Sequence, residues 1–452
     1  MLRPMVARLG NALNRFSARW VPDPFVLALL LTALVLCAGA GRMLGLGQSD
    51  IAESLALGWM EGFGGSGGLA FALQMCFVLV TGHAMALSPP VQRAIVHIAR
   101  IPKSAASAAV MVAVVACLSA LVHWGLGAIA GALLAREIGR HAPARGLDIH
   151  YPLLGAAAYA GMAVWHGGLS GSAPLKVAGG DGAEWVGEMT LSQLLLSPTN
   201  LVVTGSLLIS IPLLFWALTP RLKEDMVPAD PARLAPLPEY ESLAVDSPVA
   251  WLQESLWPGR LIGSLGLVMV ALTIYSGARK LEINSVNLVF FFVGLLLQGS
   301  LRRYTETIAD GARGAGAIIL QFPLYFGILG VMKVSGMIGW LSESLASWST
   351  QTSFPLLSFI SAGITNLFVP SGGGQWGVQR DILLSSGHSL GVDPTSTIMA
   401  FAYGDAWTNM LQPFWALPLL GIMGLKAKDI IGYTAMVFLL MLFVVPIGLL
   451  IT

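Results

Sequence analysis

A polar break interrupts one of the most apolar segments of the sequence. Residues 369–379 read VPSGGGQWGVQ and follow FPLLSFISAGITNLF at 354–368, and no charged side chain occurs from Phe354 to Gln379. Three consecutive glycines let bare backbone approach a ligand closely. A helix that begins at such a break presents free N–H groups, which suit an anion. The stretch is therefore a candidate binding site for a small anion within an apolar region.

Three ionisable side chains lie in other apolar segments. Asp405 belongs to GDAWTNMLQP (404–413), and it is the only acidic residue away from the ends of the spans and hairpins predicted below. A carboxylate at membrane depth is costly and indicates a function by default. It could carry a proton or help to hold Na⁺, or it could only stabilise a helix break through hydrogen bonds. His123 and His166 could carry a proton or donate to a substrate, or they could be satisfied polar residues without a further role.

Composition predicts a membrane protein. Of 452 residues, 55% are hydrophobic and 11% are charged, and the mean hydropathy is +0.74. A soluble protein has about a quarter of its residues charged, whereas apolar runs of about 20 residues are typical of membrane-spanning helices. The net charge of +1 gives no indication of a nucleic-acid partner. Cys37, Cys76 and Cys117 lie in apolar runs, which predicts small core residues and neither a disulfide nor a metal site.

The predicted fold is an all-α polytopic membrane protein with about nine spans, two re-entrant helical hairpins and two broken helices. The predicted spans are 25–44, 67–88, 151–173, 191–218, 259–276, 284–301, 314–333, 395–424 and 429–451. The stretch 104–135 begins and ends beside basic loops, which places both ends on one side, yet two crossings need about 40 residues. It therefore predicts a hairpin, and 354–379 predicts a second hairpin of opposite orientation. The predicted broken helices are 151–173 and 395–424.

Lys and Arg in the short loops predict the orientation. The first residues contain four arginines and an apolar stripe, which predicts an amphipathic helix over 1–20 on the cytoplasmic surface. The Pro-rich stretch 220–258 predicts a cytoplasmic linker between a first membrane repeat at 21–219 and a second at 259–452. Arg380, on the outer flank of the second hairpin, is an exception to the charge rule.

The two halves predict an inverted internal repeat. LVHWGLGAIAG precedes AYAGMAVWHGGLSGS in the first half, and ITNLFVPSGGG precedes AYGDAWTNMLQP in the second. His123 and Tyr159 are 36 residues apart, and Asn366 and Tyr403 are 37 residues apart. Inverted repeats with interrupted helices hold their substrate near the bilayer midplane, at the interface of the repeats.

The candidate site consists of polar, aromatic and glycine residues at the hairpin tips and helix breaks. The predicted substrate-binding residues are His123, Trp124, His166, Gly168, Ser170, Gly171, Ser172, Asn366, Ser371, Gly372, Gly373, Gly374, Gln375, Trp376, Thr408, Asn409 and Gln412. The predicted ion-coupling residues are Asp405, His123, Asn366 and Asn409, with a Na⁺ site near Asn366 and Asp405. The alternative is that the glycines and serines only permit close helix packing. Since the broken segments contain no Lys or Arg, they favour a small, singly charged and partly apolar anion.

Several segments resemble the bacterial short-chain fatty acid transporter family. They are VPSGGGQWGVQ, VPDPFVLALLLT, VTGHAMALS and, most specifically, the block at 370–433 that contains MAFAYGDAWTNMLQPFWALPLLGIMGLKAKDIIGY. The resemblance extends over nearly the whole chain and implies uptake of acetoacetate or butyrate. It also implies a broader ion-transporter superfamily with scaffold helices, two hairpins and two broken helices. Members of that superfamily are often dimeric and are thought to work by an elevator movement.

The resemblance and the predicted orientation together imply a bacterial inner-membrane protein with a cytoplasmic N-terminus and a periplasmic C-terminus. They imply no cofactor beyond a coupling cation, H⁺ or Na⁺. At four candidate positions the sequence departs from the family's usual residue. The family more often has Asn at the position of His123 and Gly at that of His166. It more often has His at the position of Gln375 and Glu at that of Asp405. These departures affect the expected substrate and coupling ion, and not the expected fold.

The leading hypothesis is therefore a secondary active transporter that imports short-chain monocarboxylates by H⁺ or Na⁺ symport. Uphill import of an anion needs co-transported positive charge, since a membrane potential opposes it by about 2.3 kcal/mol per charge per 100 mV. A second hypothesis keeps the fold and changes the substrate to a dicarboxylate or an aminoacyl compound.

An enzyme is the third hypothesis. Residues 168–171 match the GxSG motif of rhomboid intramembrane proteases. That chemistry requires a histidine base on a later span. The only histidine after Ser170 is His388, in a predicted outer loop, so the sequence does not favour an enzyme.

Overall fold

The computed structural model describes residues 12, 24–64, 68–231, 234, 244–279, 283–368, 370, 372–412 and 415–452, and this part of the chain is helical without strands. The amphipathic helix predicted over 1–20 lies outside the described residues apart from Ala12. The helices are α1 Pro24–Gly45, α2 Ile51–Gly64, α3 Gly68–Ala86, α4 Pro89–Ala99, α5 Ala105–Val122, α6 Trp124–His141, α7 Tyr151–Tyr159, α8 Ser172–Ala178, α9 Ala183–Val186, α10 Leu191–Leu195, α11 Pro198–Leu218, α12 Pro248–Glu254, α13 Leu256–Tyr275, α14 Ile283–Gln298, α15 Leu301–Arg313, α16 Gly316–Val334, α17 Met337–Ser347, α18 Phe354–Phe368, α19 Gly372–Ser389, α20 Pro394–Asn409, α21 Leu417–Met423 and α22 Ala427–Ile451.

Fewer helices than the nine predicted spans are long and apolar enough to cross a membrane unaided. Among the described residues they are α1, α5, α11, α13 and α22. Two bent pairs, α3 with α4 at 68° and α15 with α16 at 51°, raise the number to seven. The predicted spans 151–173 and 395–424 are both broken, as expected, so neither forms one long helix.

Helices also form in segments between the predicted spans and hairpins. They are α2 in 45–66, α4 in 89–103, α9 in 174–190, α12 in the predicted linker 220–258, α15 at 301–313 and α17 in 335–353. Each is short, at 4 to 14 residues, so none gives the long apolar signal of a span.

The first hairpin consists of α5 and α6, which meet at His123. A Cβ on Gly127 would lie 2.7 Å from the Cα of Ala120, and a Cβ on Gly131 would lie 3.1 Å from the Cβ of Ala116. The two arms therefore run antiparallel in close contact. The second arm continues to His141, beyond the predicted end at 135.

Its final turns carry arginines, which is why the sequence predicted a loop there. These side chains have partners in the structure. Arg136 donates to the carbonyl of Ile422 at 2.7 Å, and Arg140 pairs with Glu137 at 2.8 Å.

The second hairpin consists of α18 and α19, and glutamines join its arms. Gln375 Nε2 donates to the carbonyl of Ala362 at 2.8 Å, and Gln379 Nε2 donates to the hydroxyls of Ser361 and Thr365, both at 3.1 Å. The second arm continues to Ser389, ten residues beyond the predicted end at 379.

Arg380, the exception to the charge rule, lies on this second arm. Its guanidinium pairs with Asp181 at 3.4 Å and with Asp381 at 2.9 Å. Its charge is thus balanced locally, which accounts for its presence on the predicted outer flank.

Each half packs the first arm of its hairpin alongside its broken helix in the same way. A Cβ on Gly161 would lie 2.6 Å from the carbonyl oxygen of Ala116, and a Cβ on Gly404 would lie 2.3 Å from that of Phe359. Both contacts join residues 45 positions apart. Further along, Leu169 N–H donates to the Leu121 carbonyl, so the packed segments run parallel.

The two broken helices run antiparallel to each other. Tyr159 near the start of one donates to the carbonyl of Asn409 near the end of the other, at 3.0 Å. Further along, His166 contacts Asp405 at 2.7 Å. The inverted repeat itself stays a prediction.

Another close helix contact is made by glycines. Helices α2 and α16 touch backbone to backbone: a Cβ on Gly62 would lie 2.1 Å from the Phe326 carbonyl oxygen, and a Cβ on Gly330 would lie 1.9 Å from that of Gly58. Small residues at facing positions allow this close approach of helices in lipid. We call α2 and α16 the scaffold pair.

Candidate functional site

A buried histidine–carboxylate pair joins the two broken helices. His166 Nε2 lies 2.7 Å from Asp405 Oδ2, and both residues have no exposed surface. Asn409 Nδ2 donates to the same Oδ2 atom at 3.3 Å. The other polar atoms of the pair, His166 Nδ1 and Asp405 Oδ1, have no hydrogen-bond partner in the described part of the chain.

Glycines determine where the first broken helix opens. After α7 the chain forms two short 3-10 turns, Ala160–Ala163 and Trp165–Gly167. A Cβ on Gly167 would lie 2.2 Å from Thr204 Oγ1, and a Cβ on Gly168 would lie 2.1 Å from the carbonyl oxygen of Leu121. A larger residue would collide at both positions, so the break requires glycine there. His166 lies just before these glycines and contacts Asp405.

Polar residues of α11 and α20 satisfy the opened backbone. Asn200 Nδ2 donates to the carbonyl of Gly167 at 3.1 Å. The Tyr403 hydroxyl lies 2.6 Å from Thr204 Oγ1 and also bonds to Asn200 Oδ1. Buried polar backbone atoms require such partners, so this network stabilises the break.

Asn366 ties the first arm of the second hairpin to α20. Its Nδ2 atom lies 2.9 Å from the Asp405 carbonyl, 2.9 Å from Thr408 Oγ1 and 2.8 Å from Asn409 Oδ1. Asn366 Oδ1 has no partner in the described residues. The oxygens around Nδ2 are thus held by an amide, whereas Asn366 Oδ1 and Asp405 Oδ1 have no partner in the described residues. The Na⁺ site near Asn366 and Asp405 stays a prediction.

A cavity lies beside the pair, and residues from both halves of the chain line it. Its lining is largely apolar and aromatic, with a few polar groups. The lining residues are Met75, Val78, His123, Trp124, Met162, Trp165, Ser170, Ser172, Leu175, Val286, Asn287, Gly372 and Trp415. The space open to the centre of a water molecule is about 20 Å³, which is room for about one water.

Three tryptophans form the apolar wall of this cavity. The ring of Trp124 packs edge-on against Trp415 at 5.0 Å and against Trp165 at 6.3 Å between centroids. Rigid aromatic rings in this arrangement suit a short alkyl group.

The tip of the second hairpin separates the cavity from the pair. Gly372 lines the cavity at the start of α19. A Cβ on this residue would lie 2.5 Å from Ser172 Oγ and 2.8 Å from His166 Cε1. The Ser172 hydroxyl is buried, lines the cavity and has no partner in the described residues. A ligand at the tip would therefore meet an unsatisfied hydroxyl and the first turn of a helix, whose N–H groups attract anions.

His123 has a structural role that the sequence did not reveal. It is the N-cap of α6, and its Nδ1 atom accepts from the Gly125 N–H at 3.1 Å. Its ring packs on Phe290 at 3.9 Å between centroids, while the residue also lines the cavity. The next N–H, of Trp124, donates to Ser170 Oγ at 3.0 Å, which ties the first hairpin tip to the broken helix.

The predicted site residues divide into three groups in the structure. The cavity brings together His123, Trp124, Ser170, Ser172 and Gly372. The buried network around the pair contains His166, Asp405, Asn366, Thr408 and Asn409.

The remaining predicted residues lie elsewhere. Gln375 lies between the hairpin arms, Trp376 packs edge-on against Phe401 at 4.9 Å, and Gln412 bonds to the Leu367 carbonyl. Gly168 and Gly171 pack against backbone in the first break, and Gly373 and Gly374 belong to the first turn of α19. Ser371 lies outside the described residues.

Sequence reasoning missed several residues of the site. Asn200 and Tyr403 support the break, and Trp415 and Asn287 line the cavity. Asn200 had a signal, because a Thr-Asn pair follows Ser-Pro at the start of an apolar run. Asn287 and Trp415 had none, since only the tertiary fold brings them to the tips.

Comparisons with known proteins identify the family of the chain. The family model described as "Short chain fatty acid transporter" matches residues 5–452. A protein of Escherichia coli K12, provisionally named a short-chain fatty acid transporter, is 36% identical over 98% of this chain and 100% of its own length. A protein of Haemophilus influenzae with the same provisional name is 35% identical over 98% of this chain and 99% of its own length.

Among solved structures, the Alcanivorax borkumensis YdaH transporter aligns with a TM-score of 0.49 and 16% identity, over 95% of this chain and 97% of that one. The match to the family model and the identity to its two relatives extend over essentially the whole chain. The protein is therefore a multi-pass membrane transporter and not an enzyme, and the chain belongs to the short-chain fatty acid transporter family.

Proposed function

We propose that the protein imports short-chain monocarboxylates, such as butyrate or acetoacetate, across the bacterial inner membrane by cation symport. The observation that carries the proposal is the tryptophan-lined cavity, to which both halves of the chain contribute, with Ser172 and the start of α19 at one end. One end suits a carboxylate and the rest suits a short alkyl chain.

The charge of the lining supports a monocarboxylate over a dicarboxylate. The cavity residues include no Lys or Arg, so a second carboxylate group would have no cationic partner. A single carboxylate can be held by N–H groups and hydroxyls. The alternative substrate is a dicarboxylate or an aminoacyl compound. Competition of unlabelled compounds of these classes with labelled butyrate tests it.

The volume of the cavity indicates that substrate entry requires movement. About 20 Å³ of open space is too little for a four-carbon acid, so the walls must separate. The scaffold pair packs through backbone contacts that leave no room for adjustment. We therefore favour movement of the hairpins and broken helices against the scaffold pair. This elevator movement, a homodimer and the predicted orientation of the termini remain predictions.

Counterflow in proteoliposomes tests the function. Vesicles loaded with unlabelled butyrate and diluted into labelled butyrate should accumulate label transiently, and protein-free vesicles should not. Acetoacetate should compete with the label, and succinate should not. Failure of the purified, folded protein to exchange either butyrate or acetoacetate would refute the proposal.

A further inference from the structure

We propose that the His166–Asp405 pair binds one proton together with each carboxylate, and so makes H⁺ the coupling ion. The inference rests on the proposed function and adds the identity of the ion and its site. It begins from the 2.7 Å contact between two residues without exposed surface, one from each broken helix.

The charge of the pair gives the first argument. With a neutral imidazole and an ionised carboxylate the pair has a net charge of −1, and one added proton makes it neutral overall. No Lys or Arg of the described residues forms an ion pair with either side chain. A buried charge without a compensating partner is unfavourable. The described residues give the ionised pair no cationic partner, and an added proton would supply the missing positive charge.

Among the described residues that contact the pair or line the cavity, no other charged side chain occurs. Tyr159 of α7 and Tyr403 of α20 are the nearby phenols, and His123 lies across the cavity. Helix α11 contributes the neutral side chains of Asn200 and Thr204, and the second hairpin contributes Asn366 and the backbone of Gly372.

The pair can accept the proton without breaking its own contact. His166 Nδ1 and Asp405 Oδ1 are both buried and without a hydrogen-bond partner in the part of the chain that the structure describes. A proton arriving at Nδ1 gives an imidazolium that donates through Nε2 to Asp405. A proton arriving at Oδ1 gives a neutral acid beside a neutral imidazole.

The cavity and the pair share a wall, which links the proton to the substrate. Trp165 lines the cavity, and its ring lies 3.8 Å from that of His166 between centroids. Gly372 and Ser172 lie between the cavity and His166. A carboxylate at the hairpin tip therefore places a second negative charge next to an ionised pair. Protonation removes that repulsion, so proton and carboxylate must each favour binding of the other by the same factor.

The first experiment measures butyrate binding to the purified protein in detergent, without Na⁺, from pH 5.5 to 8.5. Calorimetry in buffers of different ionisation enthalpy counts the protons taken up. We expect about one proton per butyrate, and a Kd that rises about tenfold per pH unit above the titration of the pair. A Kd independent of pH without proton uptake, or a Kd that tightens only on addition of Na⁺, would overturn the inference.

Two variants assign the proton to the pair, since a tenfold slope also results if the site takes up undissociated butyric acid. His166→Gln and Asp405→Asn keep polar side chains of similar size and should each reduce the slope and the proton uptake to near zero. The exposed residues His388 and Asp381 give the matched controls His388→Gln and Asp381→Asn, which should keep the wild-type slope. A full slope in both pair variants would place the proton elsewhere and refute the inference. If neither variant is monodisperse, 1-propanesulfonate replaces butyrate in the wild-type experiment, because it stays ionised at every pH used. A Kd for the sulfonate that rises with pH, with proton uptake, supports the pair, and a Kd independent of pH without proton uptake refutes it.

Counterflow separates failure of this inference from failure of the proposed function. Counterflow needs no ion gradient, so wild-type protein that exchanges butyrate without proton uptake refutes only the proton site. Wild-type protein that exchanges no short-chain acid refutes the transport proposal itself.

Discussion

The backbone of Phe359 lies directly against Gly404, and a Cβ on the glycine would be 2.3 Å from the Phe359 carbonyl oxygen. This contact joins the first arm of the second hairpin to the broken helix that carries Asp405. The two elements are therefore held together by backbone packing as well as by the amide of Asn366.

Gly404→Ala should separate these two helices. The added methyl group meets backbone, which cannot move aside as a side chain can, so we expect a loss of about 2 kcal/mol or more in stability. Gly205→Ala is the matched control, because a Cβ on Gly205, inside α11, meets nothing within 4 Å. Thermal unfolding in detergent measures both. Equal melting temperatures for the two variants would contradict the close packing.

Gly372→Ala should impair transport without unfolding the protein. Its methyl group would lie 2.5 Å from Ser172 Oγ and 2.8 Å from the His166 ring, so it fills the space where we expect the carboxylate. We predict a reduction of at least about tenfold in butyrate counterflow. Gly377→Ala, on the same helix with nothing within 4 Å, should retain wild-type counterflow. Normal counterflow by Gly372→Ala would exclude the hairpin tip from the substrate site.

Asn366→Ala should destabilise the protein. Removing the amide leaves the carbonyl of Asp405 and the side-chain oxygens of Thr408 and Asn409 without this donor in a buried position. Buried unsatisfied groups cost about 1–3 kcal/mol each, so the melting temperature should fall by several degrees. Asn284→Ala removes an exposed amide whose one partner among the described residues is Gln74, and it should leave the melting temperature nearly unchanged. The same melting temperature for both variants would show that the Asn366 amide is dispensable.

The burial of His150 should make the stability of the fold depend on pH. Burial lowers its pKa from the ordinary 6.5 to about 4, against the opposing effect of Asp225. The neutral imidazole accepts from the Val227 N–H at 3.0 Å and contacts the Tyr433 hydroxyl at 2.6 Å. Between pH 6.5 and 4 the unfolded chain binds a proton that the folded chain does not, so stability is complete above pH 6.5 and decreases below it.

The expected loss at pH 5 is about 2 kcal/mol relative to pH 7.5. His150→Gln should be less stable than the wild type at pH 7.5, with a smaller decrease on acidification. Melting temperatures at the two pH values measure the effect. His388→Gln removes an exposed histidine as a control, and a wild-type decrease in His150→Gln would assign the effect to another group.

The sequence predicted the helical fold, the two hairpins and the two breaks, because these follow from apolar length, glycine content and loop charge. It misjudged how far the hairpin arms extend, since Arg136 and Arg380 were taken as loop residues. Their balancing partners, Ile422 and Asp181, are distant in sequence. Only the folded chain shows that these polar groups are compensated within helices.

The sequence predicted which residue types form the site, but it did not predict what each side chain contacts. Asp405 and His166 were each singled out from their depth in apolar segments, but their contact was not. Gln375 was predicted to bind substrate at a helix break. In the structure it joins the two hairpin arms. Side chains at a break can face the ligand or the opposite arm, and sequence spacing does not distinguish these directions.

The pairing of His166 with Asp405 also constrains how the protein is made. The two residues are 239 positions apart, and at about 5–20 residues per second the ribosome needs roughly ten to fifty seconds to add the second after the first. During that interval the opened helix of the first half carries an imidazole without its carboxylate. The first half of the chain must therefore enter the membrane before His166 has its partner, and a polar helix break stays exposed to lipid or to the insertion machinery until the second half follows.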